Sequence, residues 1–303
     1  MRSFTGFTKR NLLLYFKDKQ AILFSVLTSI IVFVLYLLFL KQTFVDGIEG
    51  SMNGLENFID PKDIDILVNG QLLTGIIGSA LITVPFNCLT TVVADRETGI
   101  DYDISATPMK RWKIALSYFV SSTVSAFIVT SFITAAGLLI MALNGGLKLS
   151  FKDVISVYGI IFLGAVSATA FFMIVVLFFK SSSACGAFFG MLSAAVGFVI
   201  GAYIPVSQFS EHVQTFCNLF PASHVTSLFR NVLLSGTMDS VNESIGGVDS
   251  GLFVSSVKDL FSFRASMFGE RVSSATSVLY VICATAVFAA VMVFAYYKTY
   301  KRK

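Results

Sequence analysis

Six stretches of this chain contain no Asp, Glu, Lys or Arg: Gln20–Leu40, Ile66–Ala94, Ile114–Leu147, Val154–Phe179, Ser181–Ser210 and Val272–Tyr297. The shortest has 21 residues and the longest 34. About 20 apolar residues in a helix cross the hydrocarbon core of a bilayer. In lipid only helices and closed barrels satisfy every backbone donor and acceptor, and these runs lack the alternation of a barrel strand. The chain therefore reads as an all-α polytopic membrane protein with six transmembrane helices. Charged residues are 13% of the sequence, about half their share in a soluble domain, so most of the chain must avoid water.

Lys and Arg in the connecting segments set orientation. Residues 1–19, 95–113, 180 and 298–303 carry 14 basic and 5 acidic side chains, a balance of +9. Residues 41–65, 148–153 and 211–271 carry 8 basic and 13 acidic ones, a balance of −5. Both termini are expected in the cytoplasm and residues 207–271 outside, in a multi-pass cell-membrane protein, with a bacterial plasma membrane the expected setting. Leu40 is followed by Lys41-Gln42-Thr43-Phe44 rather than a small-x-small site, so the first span is expected to stay rather than be cleaved as a signal peptide.

The chain is read as one transmembrane domain over 1–303. Residues 3–19 form an amphipathic helix on the membrane surface, with Phe4, Phe7, Leu12, Tyr15 and Phe16 on its apolar side. The spans are placed at 20–40, 68–94, 114–143, 154–179, 184–205 and 272–297, with a cytoplasmic loop at 95–113. Residues 41–65 are an acidic outer loop. Pro85 and Asn87 fall in mid-span, where a kink or local break is expected. Asn144-Gly145-Gly146 ends the third span. Gly186-x-x-x-Gly190 and Gly197-x-x-x-Gly201 allow close helix packing, within the chain or between chains. Residues 207–235 are too apolar for an ordinary loop and too interrupted for a span, and are read as re-entrant outer helices before the sixth span. Residues 236–251 are expected to be flexible, and 252–271 to resume a helical pattern.

Catalytic chemistry is not expected. No Gly-Lys pair occurs, so there is no Walker A phosphate loop. The two histidines, His212 and His224, lie outside the six runs and read as interfacial polar residues. Cys88, Cys185, Cys217 and Cys283 lack metal-site spacing, so neither a metal nor a disulfide is expected. No charge lies at membrane depth, which argues against a proton relay or voltage sensor. Hydroxyls are dense in the third span, among them Ser122 and Thr130. They either bond their own helix and its neighbours or line a polar path. Phe86, Asn87, Ser122 and Thr130 are the candidate path residues.

A chain with no energy-coupling group of its own draws energy from a partner at the inner face, where 95–113 is the only substantial loop. It reads Asp95-Arg96-Glu97-Thr98-Gly99, a short amphipathic helix, then Ala106-Thr107-Pro108-Met109-Lys110-Arg111. Residue types alone leave two readings open, a docking element and a positively charged flank with an interfacial Trp. The loop resembles the signature of ABC-2 type permeases, acidic-Arg-Glu-x-Gly, then a short helix, then small-Thr/Ser-Pro-x-x-Arg. Glu97, Gly99, Thr107, Pro108 and Arg111 match. Tyr102 and Asp103 stand where many members have apolar residues. The run Phe220-Pro221-Ala222-Ser223-His224 to Leu228-Phe229-Arg230 is similar to the Pro-containing re-entrant part of that family.

The resemblance implies the membrane subunit of an ABC exporter, not itself an enzyme. It implies two copies of a separate cytoplasmic ATP-binding subunit and a second permease subunit, identical or paralogous. Glu97, Gly99, Thr107, Pro108 and Arg111 would couple to the ATPase. No cofactor is implied in this chain, ATP and Mg belonging to the partner, and no nucleic acid. The implied path lies along the first, second and fifth spans. The uncharged interior and 31 Phe favour an apolar or amphipathic cargo such as a drug, lipid-like metabolite, antimicrobial peptide or toxin. The competing reading is an ATP-independent membrane channel or scaffold.

Overall fold

A computed structural model describes residues 2–299 except Asn53, Glu56 and Asn144. The expected helix stop at Asn144 and the Lys301-Arg302-Lys303 terminus therefore lie outside the described residues. Among the described residues six helices are long and apolar enough to cross a membrane, and the only strands are two of two residues each.

Helix α1 (Arg2–Lys17) precedes α2 (Lys19–Leu35), whose N-terminus is capped by Asp18 accepting from the Gln20 and Ala21 amides. A π-turn over Tyr36–Leu40 joins α2 to α3 (Lys41–Glu49). The helix thus continues well into the segment expected as a loop. Phe44 and Ile48 account for this, because both are buried and Phe44 packs edge-on against Phe261. Helix α4 (Pro61–Glu97) follows, then the short α5 (Ile100–Ala106), α6 (Arg111–Leu143), α7 (Phe151–Val176) and α8 (Ser182–Val199). After a single 3₁₀ turn come α9 (Glu211–Asn218), α10 (Pro221–Ile245), α11 (Leu252–Leu260), a hairpin of β1 (Ser266–Met267) with β2 (Glu270–Arg271), and α12 (Ser274–Thr299).

Helix α4 is the axis of the bundle. It is 83% buried across its most apolar window, against 11% for α12, and it packs on α2, α6, α7, α8 and α10. Glycines permit these close approaches. A methyl group at Gly70 would collide with Leu234, and one at Gly78 with Thr226, both on α10. The helix runs through Pro85 without the local break the sequence suggests. The Ser122 hydroxyl of α6 donates to the Pro85 carbonyl at 3.0 Å, which fastens α6 to α4 at this point.

The outer segment is more regular than its sequence. Helix α10 begins at Pro221, in contact range of Gly78, Leu81 and Ile82 near the middle of α4. It then rises past Gly70 to end at Ile245. Residues 236–245, expected to be flexible, are its last turns, and Thr237, Met238 and Val241 are buried there. Residues 261–271 form a turn and hairpin rather than more helix. Helix α8 stops at Val199, before the expected end at 205, because Gly201 takes a left-handed φ of +69°. Of the paired glycines in α8, Gly197 abuts the Tyr203 ring, whereas Gly186 and Gly190 have no atom near enough to pack on.

Gly236 shows how tightly α10 is held. A β-carbon there would run into the backbone carbonyl of Lys148, which cannot rotate away as a side chain can. Gly236→Ala is expected to lower stability by about 1–2 kcal/mol despite the better helix propensity of Ala. Thermal unfolding in detergent checks this, and an unchanged or raised midpoint contradicts the packing.

Candidate functional site

The last turn of α4 ties four other helices together. Asp95 is buried and takes two bonds from the Arg10 guanidinium of α1, at 2.5 and 2.7 Å. The Tyr118 hydroxyl of α6 donates to the same carboxylate at 2.5 Å. Asp95 draws the Arg10 pKa further up. Around this pair the Thr8 and Ser117 hydroxyls meet at 2.9 Å, and Phe7 packs edge-on against Tyr118. Helix α1 is thereby fixed by its polar stripe, while Leu13, Leu14 and Phe16 stay exposed, as suits a helix whose other face meets lipid.

The next two residues grip helix ends. Arg96 donates to the Val176 and Leu177 carbonyls at 3.0 and 3.3 Å, at the C-terminus of α7. Glu97 accepts from the Ser182 amide at 2.8 Å, at the N-terminus of α8. Each charge meets the helix dipole end that favours it. The bonds from Ser182 hold the Glu97 carboxyl below the usual range. This cap is therefore present above the ordinary Glu pKa and is lost as pH falls through the lowered value.

Gly99 turns the chain from α4 into α5 with φ of +80°, a conformation that costs any residue with a β-carbon. Thr107 ends α5 in extended geometry, its hydroxyl donating to the Ile104 carbonyl at 2.6 Å. Extended backbone is what a residue before proline adopts, and Pro108 follows. Arg111 opens α6. A cation at a helix N-terminus opposes the dipole, so Arg111 is not there to stabilise α6. On α5 itself Ile104 faces the core, while Tyr102 is 77% exposed and Ile100 39%.

The four candidate path residues sit apart from this end and line none of the described cavities. Phe86 is fully buried among Phe172, Phe188 and Phe189, with ring centroids 5.4–5.8 Å apart. Asn87 donates to the Ala21 carbonyl and the Ser25 hydroxyl of α2. Ser122 is tied to Pro85. Thr130 is buried, its hydroxyl unpartnered among the described residues. Two apolar grooves open sideways instead. One, about 710 Å³, lies between α2 and α8 and includes Gly186 and Gly190. The other, about 980 Å³, lies between α2, α4 and α6, with Lys41, Asp65 and Asn69 among its lining residues.

Sequence reading missed the Arg10–Asp95–Tyr118 cluster, because Asp95 directly follows an apolar run and resembles a loop residue. It also missed His224. That side chain is wholly buried, with its ring nitrogens at the Ser277 hydroxyl and the Asn218 carbonyl, so it ties α10 to α12 rather than lying at an interface.

Among the described residues, six helices long and apolar enough to span a membrane carry a short helix projecting from the end of α4. Residues 64–297 match the family described as ABC-2 family transporter protein, and the chain belongs to that family. Members are membrane permease components that work with an ATP-binding subunit. No curated protein was found to be similar to the chain.

Proposed function

We propose that this chain is the permease subunit of an ATP-driven exporter that moves an apolar or amphipathic cargo outward, such as a drug, lipid-like metabolite, antimicrobial peptide or toxin. Two copies, identical or paralogous, pair with two separate ATP-binding subunits, which carry the ATP and Mg. The observation that carries this reading is α5. It projects Tyr102 from the end of α4, whose last turn holds α1, α6, α7 and α8. A force on α5 is passed to four helices at once. In this arrangement Gly99, Thr107 and Pro108 shape the docking element. Arg111 and Tyr102 face the partner, and Glu97 acts as a fixed link inside the permease. The apolar α2–α8 groove, where Gly186 and Gly190 stand open, is where the second permease subunit packs. The apolar lining of both grooves supports an apolar cargo.

The reading requires α5 in the cytoplasm, with both termini. In a cysteine-free background, Ser250→Cys should react with a membrane-impermeant maleimide added to intact cells. Ser105→Cys, on exposed α5, should react only after permeabilisation. The reverse pattern would place α5 on the side without ATP and overturn the proposal.

A further inference from the structure

Four cations converge on one pocket at the end of the bundle opposite α5. The pocket, about 420 Å³, lies among the 3₁₀ turn, α9, α10, α11 and the hairpin. Residues 211–271 contain four basic side chains, Arg230, Lys258, Arg264 and Arg271, and six acidic ones. All four basic residues line the pocket, but of the acidic residues only Asp259 does. Asp259 is already paired with Arg271 at 2.7 Å. Among the described residues Lys258 and Arg264 make no ion pair. A segment that is acidic as a whole thus gathers its positive charge at one place.

Arg230 sharpens the point. It is 1% exposed, and among the described residues its terminal nitrogens donate only to backbone carbonyls, Ile200 at 2.7 Å, Gly201 at 2.9 Å and Ser262 at 3.2 Å. Its Nε is buried without a partner among the described residues. A buried guanidinium held by carbonyl dipoles alone keeps its full charge uncompensated, an arrangement that is costly without an anion. Planar guanidinium groups also match phosphate oxygens well.

We propose that this pocket binds a phosphate-type anion, seated against Lys258 and Arg264 with Arg230 beneath. Its volume exceeds what a bare phosphate needs and leaves room for a small polar group joined to it. The anion comes either from solution or from a lipid headgroup in the outer leaflet, and both present the same phosphate chemistry. Because α10 and the end of α8 both reach Arg230, an occupied pocket braces the outer segment against the bundle.

The test measures thermal unfolding of the purified chain, without any ATP-binding subunit, so its outcome is separate from the proposed coupling. One arm adds inorganic phosphate to protein in maltoside micelles, which carry no phosphate, against sodium chloride at equal ionic strength. The other adds phosphatidylglycerol to the same micelles. The midpoint is expected to rise by about 3 °C in at least one arm. That rise should vanish in the Lys258→Gln/Arg264→Gln double variant and persist in Lys152→Gln, an exposed cation away from the pocket. Arg230 is left intact because its removal would strand three carbonyls. A rise with free phosphate identifies a soluble anion, and one confined to micelles with phosphatidylglycerol identifies a headgroup. No rise in either arm, or a rise that survives the double variant, overturns the site.

Discussion

Arg10→Met is expected to cost about 3 kcal/mol of stability, roughly twice the cost of Asp95→Asn, although the two changes break the same ion pair. The asymmetry follows from burial. The Asp95 side chain is 5% exposed and that of Arg10 31%. Removing Arg10 leaves a carboxylate enclosed in protein with, among the described residues, only the Tyr118 hydroxyl to bond it. Removing the Asp95 charge leaves a guanidinium that can turn toward water. In both variants α1 should loosen from α6, because the Thr8–Ser117 and Phe7–Tyr118 contacts are too weak to hold it alone. Denaturant unfolding in detergent gives the costs, and hydrogen exchange over residues 4–16 reports the release of α1. A double-mutant cycle should show strong coupling between the positions. Equal costs, or additive ones, would contradict a buried pair.

The spans were legible because a missing charge is a strong signal: each of the six charge-free runs overlaps a helix long and apolar enough to span a membrane. What the sequence hid was charge that is buried through partners distant along the chain. Asp95 meets Arg10 across 85 residues, and neither sits in a pattern that marks it. In α10, Pro221, His224 and Arg230 look like interruptions. Pro221 is the first residue of the helix, where its missing N–H does no harm, and His224 and Arg230 spend their polarity on carbonyls and a hydroxyl inside the fold. Gly99, Thr107 and Pro108 were picked out by the resemblance, and the structure shows a backbone reason at two of them, a left-handed turn at Gly99 and an extended residue before Pro108. Glu97 was legible as a signature residue, but its contact with the amide of Ser182 links two helices that no local rule connects.

Tyr102 carries the largest expected effect on assembly. Short α5 spends Ile104 on the core and offers Ile100 and Tyr102 to the outside. Tyr is among the residues that most often dominate binding energy at protein interfaces, and truncating such an anchor costs about 2 kcal/mol or more, roughly 30-fold in affinity. Ile100→Asp adds a charge that a complementary apolar surface cannot solvate. Neither side chain lies in a span, so the double variant should reach the membrane, fold and keep the α1–α4 linkage. The most direct test is co-purification of the Tyr102→Ala/Ile100→Asp chain with its cognate ATP-binding subunit, with hydrolysis measured on whatever complex is recovered. The coupling account predicts at least a 30-fold weaker association and hydrolysis that cargo no longer stimulates. Association and stimulated hydrolysis at wild-type levels would show that α5 is not where the ATP-binding subunit takes hold.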